Sequence, residues 1–173
     1  GRDLGYYLFR LPALRALQPS VAALLGALVL ILTFIYLPRR SAFSGGRLPR
    51  TARLHMALVW LLLGSSGAWW IALERDMLVY SDAHMPLFHG PGYVEMRAIQ
   101  PLLWVALALA ALASIALFVL VLTGRGPRFL ALVLGFLGLA LTLRYTAPIP
   151  TVVQRYVVEP NEITAETPYI AAN

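Results

Sequence analysis

Four runs of apolar residues, 20–37, 52–73, 101–123 and 127–145, are separated by stretches in which most of the charged residues collect. Each run is close to the ~20 residues an α-helix needs to cross the ~30 Å hydrocarbon core of a bilayer. Backbone N–H and C=O groups in lipid must be satisfied within their own segment, so these runs are predicted to be helices. Strands of a membrane barrel would alternate apolar and polar positions, which these runs do not. The pattern predicts an all-α membrane protein with four transmembrane helices across 20–148. A segment of different character precedes them (1–19) and another follows (149–173).

Within the runs, small residues mark faces suited to close helix packing. The second run carries Gly64-Ser65-Ser66-Gly67. The third carries Ala106, Ala108, Ala110, Ala111 and Ala113. The fourth carries Gly135 and Gly138. Packing contacts, rather than a ligand path, are the expectation for all of them. Trp69 and Trp70 lie just before Glu74-Arg75-Asp76, as in an interfacial aromatic belt. Glu74, Arg75 and Asp76 are expected to form local ion pairs there.

The flanking segments differ from the spans. Residues 6–17, Tyr-Tyr-Leu-Phe-Arg-Leu-Pro-Ala-Leu-Arg-Ala-Leu, are too short and too charged to cross. They read either as an interfacial stretch with its aromatics in the headgroup region or as a lead-in to the first span. After residue 145, Pro148, Pro150, Pro160 and Pro168 punctuate an acidic tail, which is predicted to be extended.

Composition agrees with lipid as the solvent. Of 173 residues, 60% are hydrophobic and 13% are charged, about half the ~25% charged share of a soluble domain. There is no cysteine, so disulfides and thiolate metal sites are excluded. The formal charge is +6, and all fourteen basic residues are arginine. Their placement in loops speaks for membrane orientation rather than nucleic-acid binding. Arg39, Arg40, Arg47, Arg50 and Arg53 lie between the first two spans, and Arg125 and Arg128 between the last two, with no acid in either stretch. All eight acids (Asp3, Glu74, Asp76, Asp82, Glu95, Glu159, Glu162 and Glu166) fall on the other side. The basic loops are therefore expected to be cytoplasmic and both ends extracytoplasmic. The opening Gly-Arg-Asp-Leu-Gly is no signal peptide, and the chain is expected to be either a processed product or a segment of a longer polypeptide.

Little in the sequence carries chemistry. Asp82, His84 and His89 are candidate metal ligands, with Glu95 and Arg97 beyond them. A carboxylate and two imidazoles suit a divalent cation. Their spacing matches no metal motif, however, and Gly90-Pro91-Gly92 is turn chemistry, so a solvated loop is the competing reading. His55 would ligate a pigment or haem, relay a proton, or simply hydrogen-bond at the interface. Arg144 is placed to snorkel. None of the four runs holds a buried carboxylate of the kind a proton-coupled transporter needs. Phosphate loops, His-Glu-x-x-His pairs and Gly-x-Ser-x-Gly elbows are missing. The expectation is a non-enzymatic membrane subunit that requires no cofactor, with a bound lipid or pigment left open. Its partners would be the bilayer and other transmembrane helices, not nucleic acid.

Three stretches together carry a family resemblance. They are Gly1-Arg-Asp-Leu-Gly-Tyr-Tyr-Leu-Phe-Arg-Leu-Pro12; Tyr80-Ser81 with Gly90-Pro-Gly-Tyr-Val-Glu-Met-Arg-Ala98; and Val153-Gln-Arg-Tyr-Val-Val-Glu-Pro-Asn-Glu162 with Glu166-Thr-Pro-Tyr-Ile170 and Asn173. On these the chain resembles the bacterial uncharacterised protein family (UPF) 0182 of large membrane proteins, over nearly its whole length. The resemblance implies about seven N-terminal membrane helices followed by a long extracytoplasmic domain. This chain would then be the later part of the membrane region. Glu95 stands where the family tends to have Asp, and the 82–89 stretch is individual. The family has no established activity, so no catalytic residue carries over. Three functions stay open: an accessory or structural component of a larger membrane complex, such as an energy-transducing one; part of a transporter or channel; or the anchor of an extracytoplasmic functional domain.

Overall fold

The structure, a computed structural model, describes residues 3–36, 48–81, 90–145, 152, 153, 155, 156 and 167. Four α-helices dominate it: α1 (Leu11–Tyr36), α2 (Arg50–Asp76), α3 (Gln100–Thr123) and α4 (Pro127–Tyr145). Among the described residues there is no strand. All four helices are long and apolar enough to cross a membrane. The all-α architecture read from the apolar runs is thus the observed one.

Two helices begin with a π-helical turn, Tyr6–Arg10 before α1 and Glu95–Ile99 before α3. Both turns stop one residue short of a proline, Pro12 and Pro101. A proline has no N–H to donate, and in α register its ring would strike the carbonyl four residues back. The wider π turn relieves that clash. It also shifts the missing bond, because in π register the carbonyl left without a donor is that of Tyr7 for Pro12. Asp3 starts the first of these turns, its Oδ1 accepting from the Tyr6 N–H at 2.7 Å, as an N-cap does.

The helical stretches are therefore longer than the apolar runs. Tyr6–Tyr36 and Arg50–Tyr80 each hold 31 residues and Glu95–Thr123 holds 29. At 1.5 Å per residue they rise about 44–46 Å, some 15 Å more than the hydrocarbon core. The 6–17 stretch is not a separate element; it continues into α1 without a break. Only α4, with 19 residues, matches the core alone. Its tight entry follows from local chemistry. Gly124 caps α3 at φ 72° with its N–H on the Leu120 carbonyl (2.7 Å), Gly126 turns at φ 89°, and Pro127 opens α4. This is the Gly-after, Pro-first asymmetry of helix ends.

The tail departs from expectation where it is described. Residues 152, 153, 155, 156 and 167 have helical rather than extended backbone. Proline disfavours helix just before itself, and none lies between Pro150 and Pro160, so helical backbone is open to 152, 153, 155 and 156; Thr167 is helical against the bias of Pro168. The other tail residues lie outside the described set.

Sequence neighbours pack side by side. α2 and α3 form the central pair, α1 lies on α2, and α4 lies on α3. The core is built of small side chains: Ala68, Ala106, Ala110, Ala113, Ala116 and Ala140 are buried, with Leu11 and Leu103 the largest side chains fully enclosed. Lipid is as apolar as Leu, so close van der Waals approach and interhelical hydrogen bonds must hold such a bundle. Both are present at the 64–67 tetrad. Gly64 meets α3, since a Cβ there would lie 2.5 Å from Ser114 Oγ. Ser66 meets α1, where Gln18 Nε2 donates to its carbonyl (3.1 Å) and Oγ (3.4 Å).

Other small residues do not pack as expected. Ala108 and Ala111 are exposed, while Ala106, Ala110 and Ala113 are buried. At about 100° per residue, 108 and 111 fall roughly 200° and 140° from 106, so they belong to another face. Gly135 and Gly138 are exposed, with nothing within 4 Å of either Cβ position. They are on the outer side of α4 and pack against none of α1–α3.

Candidate functional site

The helix overhangs gather at one end of the bundle, where the described acids lie. Glu74, Arg75 and Asp76 end α2 in the ion pairs their sequence predicted, but their partners come mostly from elsewhere. Arg15, one turn before Gln18 on α1, reaches Glu74 at 3.1 Å. Arg75 bonds Asp76 Oδ1 through Nε (3.2 Å) and Nη2 (2.8 Å), and its guanidinium carbon lies 4.3 Å from the Trp104 ring centroid of α3. Asp76 Oδ2 accepts from the Tyr6 hydroxyl at 2.8 Å. Arg75 and Asp76 are nearly enclosed, with side chains 15% and 10% exposed. The planar guanidinium suits this place, since it stacks on an aromatic face while holding a carboxylate.

The π turns complete the arrangement. Tyr80, in the 3₁₀ turn that ends α2, donates its hydroxyl to the Tyr7 carbonyl. That is the acceptor Pro12 cannot serve. Glu95 is buried, 7% exposed. Its Oε2 accepts from the Gly92 N–H at 3.1 Å and its Oε1 from Ser81 Oγ at 3.4 Å, while Met96 N–H bonds the Gly92 carbonyl. Glu95 thus acts as the N3 residue of a capping box whose N-cap is Gly92. Arg97 is exposed. On α4, Arg144 lies over the Tyr145 ring (5.4 Å), and Tyr145 stacks on Trp70 at 6.4 Å. All four helices are joined at this end.

Asp82, His84 and His89 lie outside the described residues, so the structure does not place that candidate set. Among the described residues no group of three or more His, Asp or Glu side chains is placed to hold a metal ion.

The opposite, arginine-only end is less tied. Arg53 Nη1 donates to the Leu122 carbonyl at 2.8 Å, one of the acceptors that a helix C-terminus leaves open. Its Nε is buried without a partner. His55 is exposed and lies 3.4 Å from the Tyr36 hydroxyl, the interfacial hydrogen bond among the readings weighed for it.

Chemically, the acidic end is a clamp. Glu74, Asp76 and Glu95 are each engaged by a protein donor, so none stands as a free base or ligand. Sequence reasoning missed Tyr6, Arg15, Tyr80 and Trp104, whose partners are 29–73 residues away along the chain. The one local signal was the pair of prolines at 12 and 101, each of which strands a carbonyl.

Comparison with known proteins gives a consistent family result. The model of the uncharacterised protein family UPF0182 matches residues 1–173. The chain is 35% identical over its full length to a UPF0182 protein of Syntrophobacter fumaroxidans. It is 32% identical over its full length to one of Methylococcus capsulatus, and 36% identical over 98% of its length to one of Nitrosococcus oceani. In each case it spans about a fifth (20%) of the relative's own length. No solved structure matches.

Proposed function

Since the chain belongs to the uncharacterised protein family UPF0182, we propose that it is a non-catalytic membrane module of a larger bacterial inner-membrane protein, packed against further transmembrane helices. One observation carries this reading. In their most apolar windows the outer helices bury few residues within the bundle, 6% for the first span and 11% for the fourth, against 28% for each inner span. α1 and α4 thus turn broad apolar faces outward, with Phe34 78% and Phe136 60% exposed. In a protein about five times as long as this chain, other helices are the fitting cover for those faces. The arginine-only loops would be cytoplasmic and the clamped acidic end extracytoplasmic, next to whatever domain the larger protein carries there.

Transport is the weaker reading. Among the described residues, Glu74, Arg75, Asp76 and Glu95 are engaged at the acidic end, and the interior polar groups Gln18, Ser66 and Ser114 are hydrogen-bonded. Among the described residues no chain of ionisable groups links the two ends.

The test is cysteine cross-linking of the full-length protein in native membranes, with Phe34→Cys and Phe136→Cys as reporters, followed by gentle detergent extraction and size analysis. Cross-links from both positions to other helices of the polypeptide or of partner subunits are expected. A monodisperse monomer in which neither position cross-links to protein would sink the proposal.

A further inference from the structure

An apolar groove of about 430 Å³ runs between α2, α3 and α4, bounded by Trp60, Gly67, Leu117, Leu130, Leu134 and Leu141 among others. A Cβ at Gly67 would meet no atom within 4 Å, so α2 leaves the groove open there. Along α2 it extends from Trp60 to Ile71, about 16 Å at 1.5 Å per residue. Size decides between occupants. A helix is about 10 Å across and would fill roughly 1,250 Å³ over that length, so it would ride on the rim. A polymethylene chain, about 4 Å across at van der Waals spacing, fills roughly 200 Å³. The groove has the volume of one to two such chains.

Its two ends differ in charge. At one stands Trp70, stacked on Tyr145. At the other stands Arg53, two turns before Trp60 on the same stripe of α2; Arg128, also at this end, lies on the outer face of α4 with Ala131, Leu132 and Gly135. No acid occurs between Leu4 and Leu73 or between Met96 and Val158, so nothing at this end neutralises them. Among the described residues the Arg53 guanidinium meets only the Leu122 carbonyl, and its Nε has no partner. Arginines at a bilayer surface attract anionic headgroups, and basic pockets between membrane helices hold them.

We propose that this groove binds an anionic phospholipid, its acyl chains lying along α2 and α4 and its phosphate at Arg53. The inference goes beyond the packing role, since a resident lipid would make the module's interior depend on membrane composition.

The test uses full-length protein, stripped of lipid in detergent and incubated with equal amounts of phosphatidylglycerol and phosphatidylcholine. Native mass spectrometry then counts the retained lipid. The wild type is expected to retain phosphatidylglycerol in preference. Gly67→Leu, which grows into open space, should lose one bound lipid; Leu134→Trp serves as a second groove-filling variant if the first fails to fold. Arg53→Gln should lower the preference for phosphatidylglycerol about fivefold, the equivalent of ~1 kcal/mol for an arginine near a charged surface. Equal retention of both lipids by the wild type and the variants would overturn the proposal. So would a Leu134→Cys variant that cross-links to another helix while the groove-filling variants keep their full lipid count.

Discussion

Gly64 is the position at which the helix pairing can be tested most sharply. In Gly64→Ala the new methyl would lie 2.5 Å from Ser114 Oγ, 2.9 Å from its Cβ and 3.1 Å from its Cα. Ser114 is 3% exposed, and its hydroxyl bonds the Ala110 carbonyl at 2.7 Å. Rotating the hydroxyl would relieve the first contact at the cost of that bond, but Cβ and Cα can retreat only with α3 itself. Restoring the ~3.5 Å of ordinary carbon contact requires the helices to part by roughly half an ångström. A gap of 0.5–1 Å forfeits about a quarter to a half of each neighbouring contact, here among the alanines of α2 and α3. Overpacking of this kind costs about 1–3 kcal/mol, offset by up to ~1 kcal/mol from alanine's helix preference. The expected net loss is about 1–2 kcal/mol, read from reversible unfolding of the full-length protein in bicelles. Gly67→Ala, three residues away with open space around its Cβ, should cost nothing or stabilise slightly. Ser114→Gly removes the two nearest atoms, so the double variant should recover part of the loss, with a favourable coupling of at least ~1 kcal/mol. If Gly64→Ala matches Gly67→Ala, or if the cycle is additive, close approach at this crossing does not hold α2 to α3.

Three further outcomes follow from the same packing. Tyr80→Phe strands the Tyr7 carbonyl; with Tyr80 41% exposed, water can reach the site, so the loss should be only about 1 kcal/mol. It would be seen as faster amide exchange over residues 6–12. Glu95→Ala removes the acceptor for the Gly92 N–H and should cost about 1–2 kcal/mol in unfolding stability, whereas Glu95→Gln keeps an acceptor oxygen and should recover most of it. Gln18→Leu deletes the α1–α2 bond to Ser66 and should cost about 0.5–1.5 kcal/mol, in the range measured for interhelical hydrogen bonds in membranes. An unchanged or higher stability would show that α1 is held by its ends alone.

The sequence made the helices legible because the rule behind them is local. An apolar run of bilayer length has one backbone solution, and all four runs took it. Glu74-Arg75-Asp76 was legible as a cluster for the same reason, since adjacent opposite charges at a helix end find each other. What stayed hidden was the far partner. Nothing near Tyr80 announces that its hydroxyl serves Tyr7, and nothing near Gln18 announces Ser66. Small residues told only that some face could pack closely. In α2 the tetrad does so against two helices at once, because Gly64 and Ser66 lie about 200° apart around the axis. In α4 the similarly small Gly135 and Gly138 point away from the bundle, because spacing gives periodicity without saying which face a neighbour covers.

The two ends of the bundle are held differently, and the difference follows from charge. At the acidic end carboxylates and arginines occur together, so hydroxyls, guanidiniums and rings from all four helices can bond one another. At the other end every described charge has one sign, and like charges cannot clamp; the ties there are the Arg53–Leu122 bond and the Tyr36–His55 contact. The helices therefore meet in a fixed arrangement at one face of the membrane and are spaced by their small side chains below it. The groove between α2, α3 and α4 is open at Gly67 and runs toward the end where the described residues contribute no anions. An arrangement of this kind leaves part of its own neutralisation to the membrane. The feature that orients the chain, arginines without acids, is also the one that would draw a lipid headgroup to the Arg53 end of the groove.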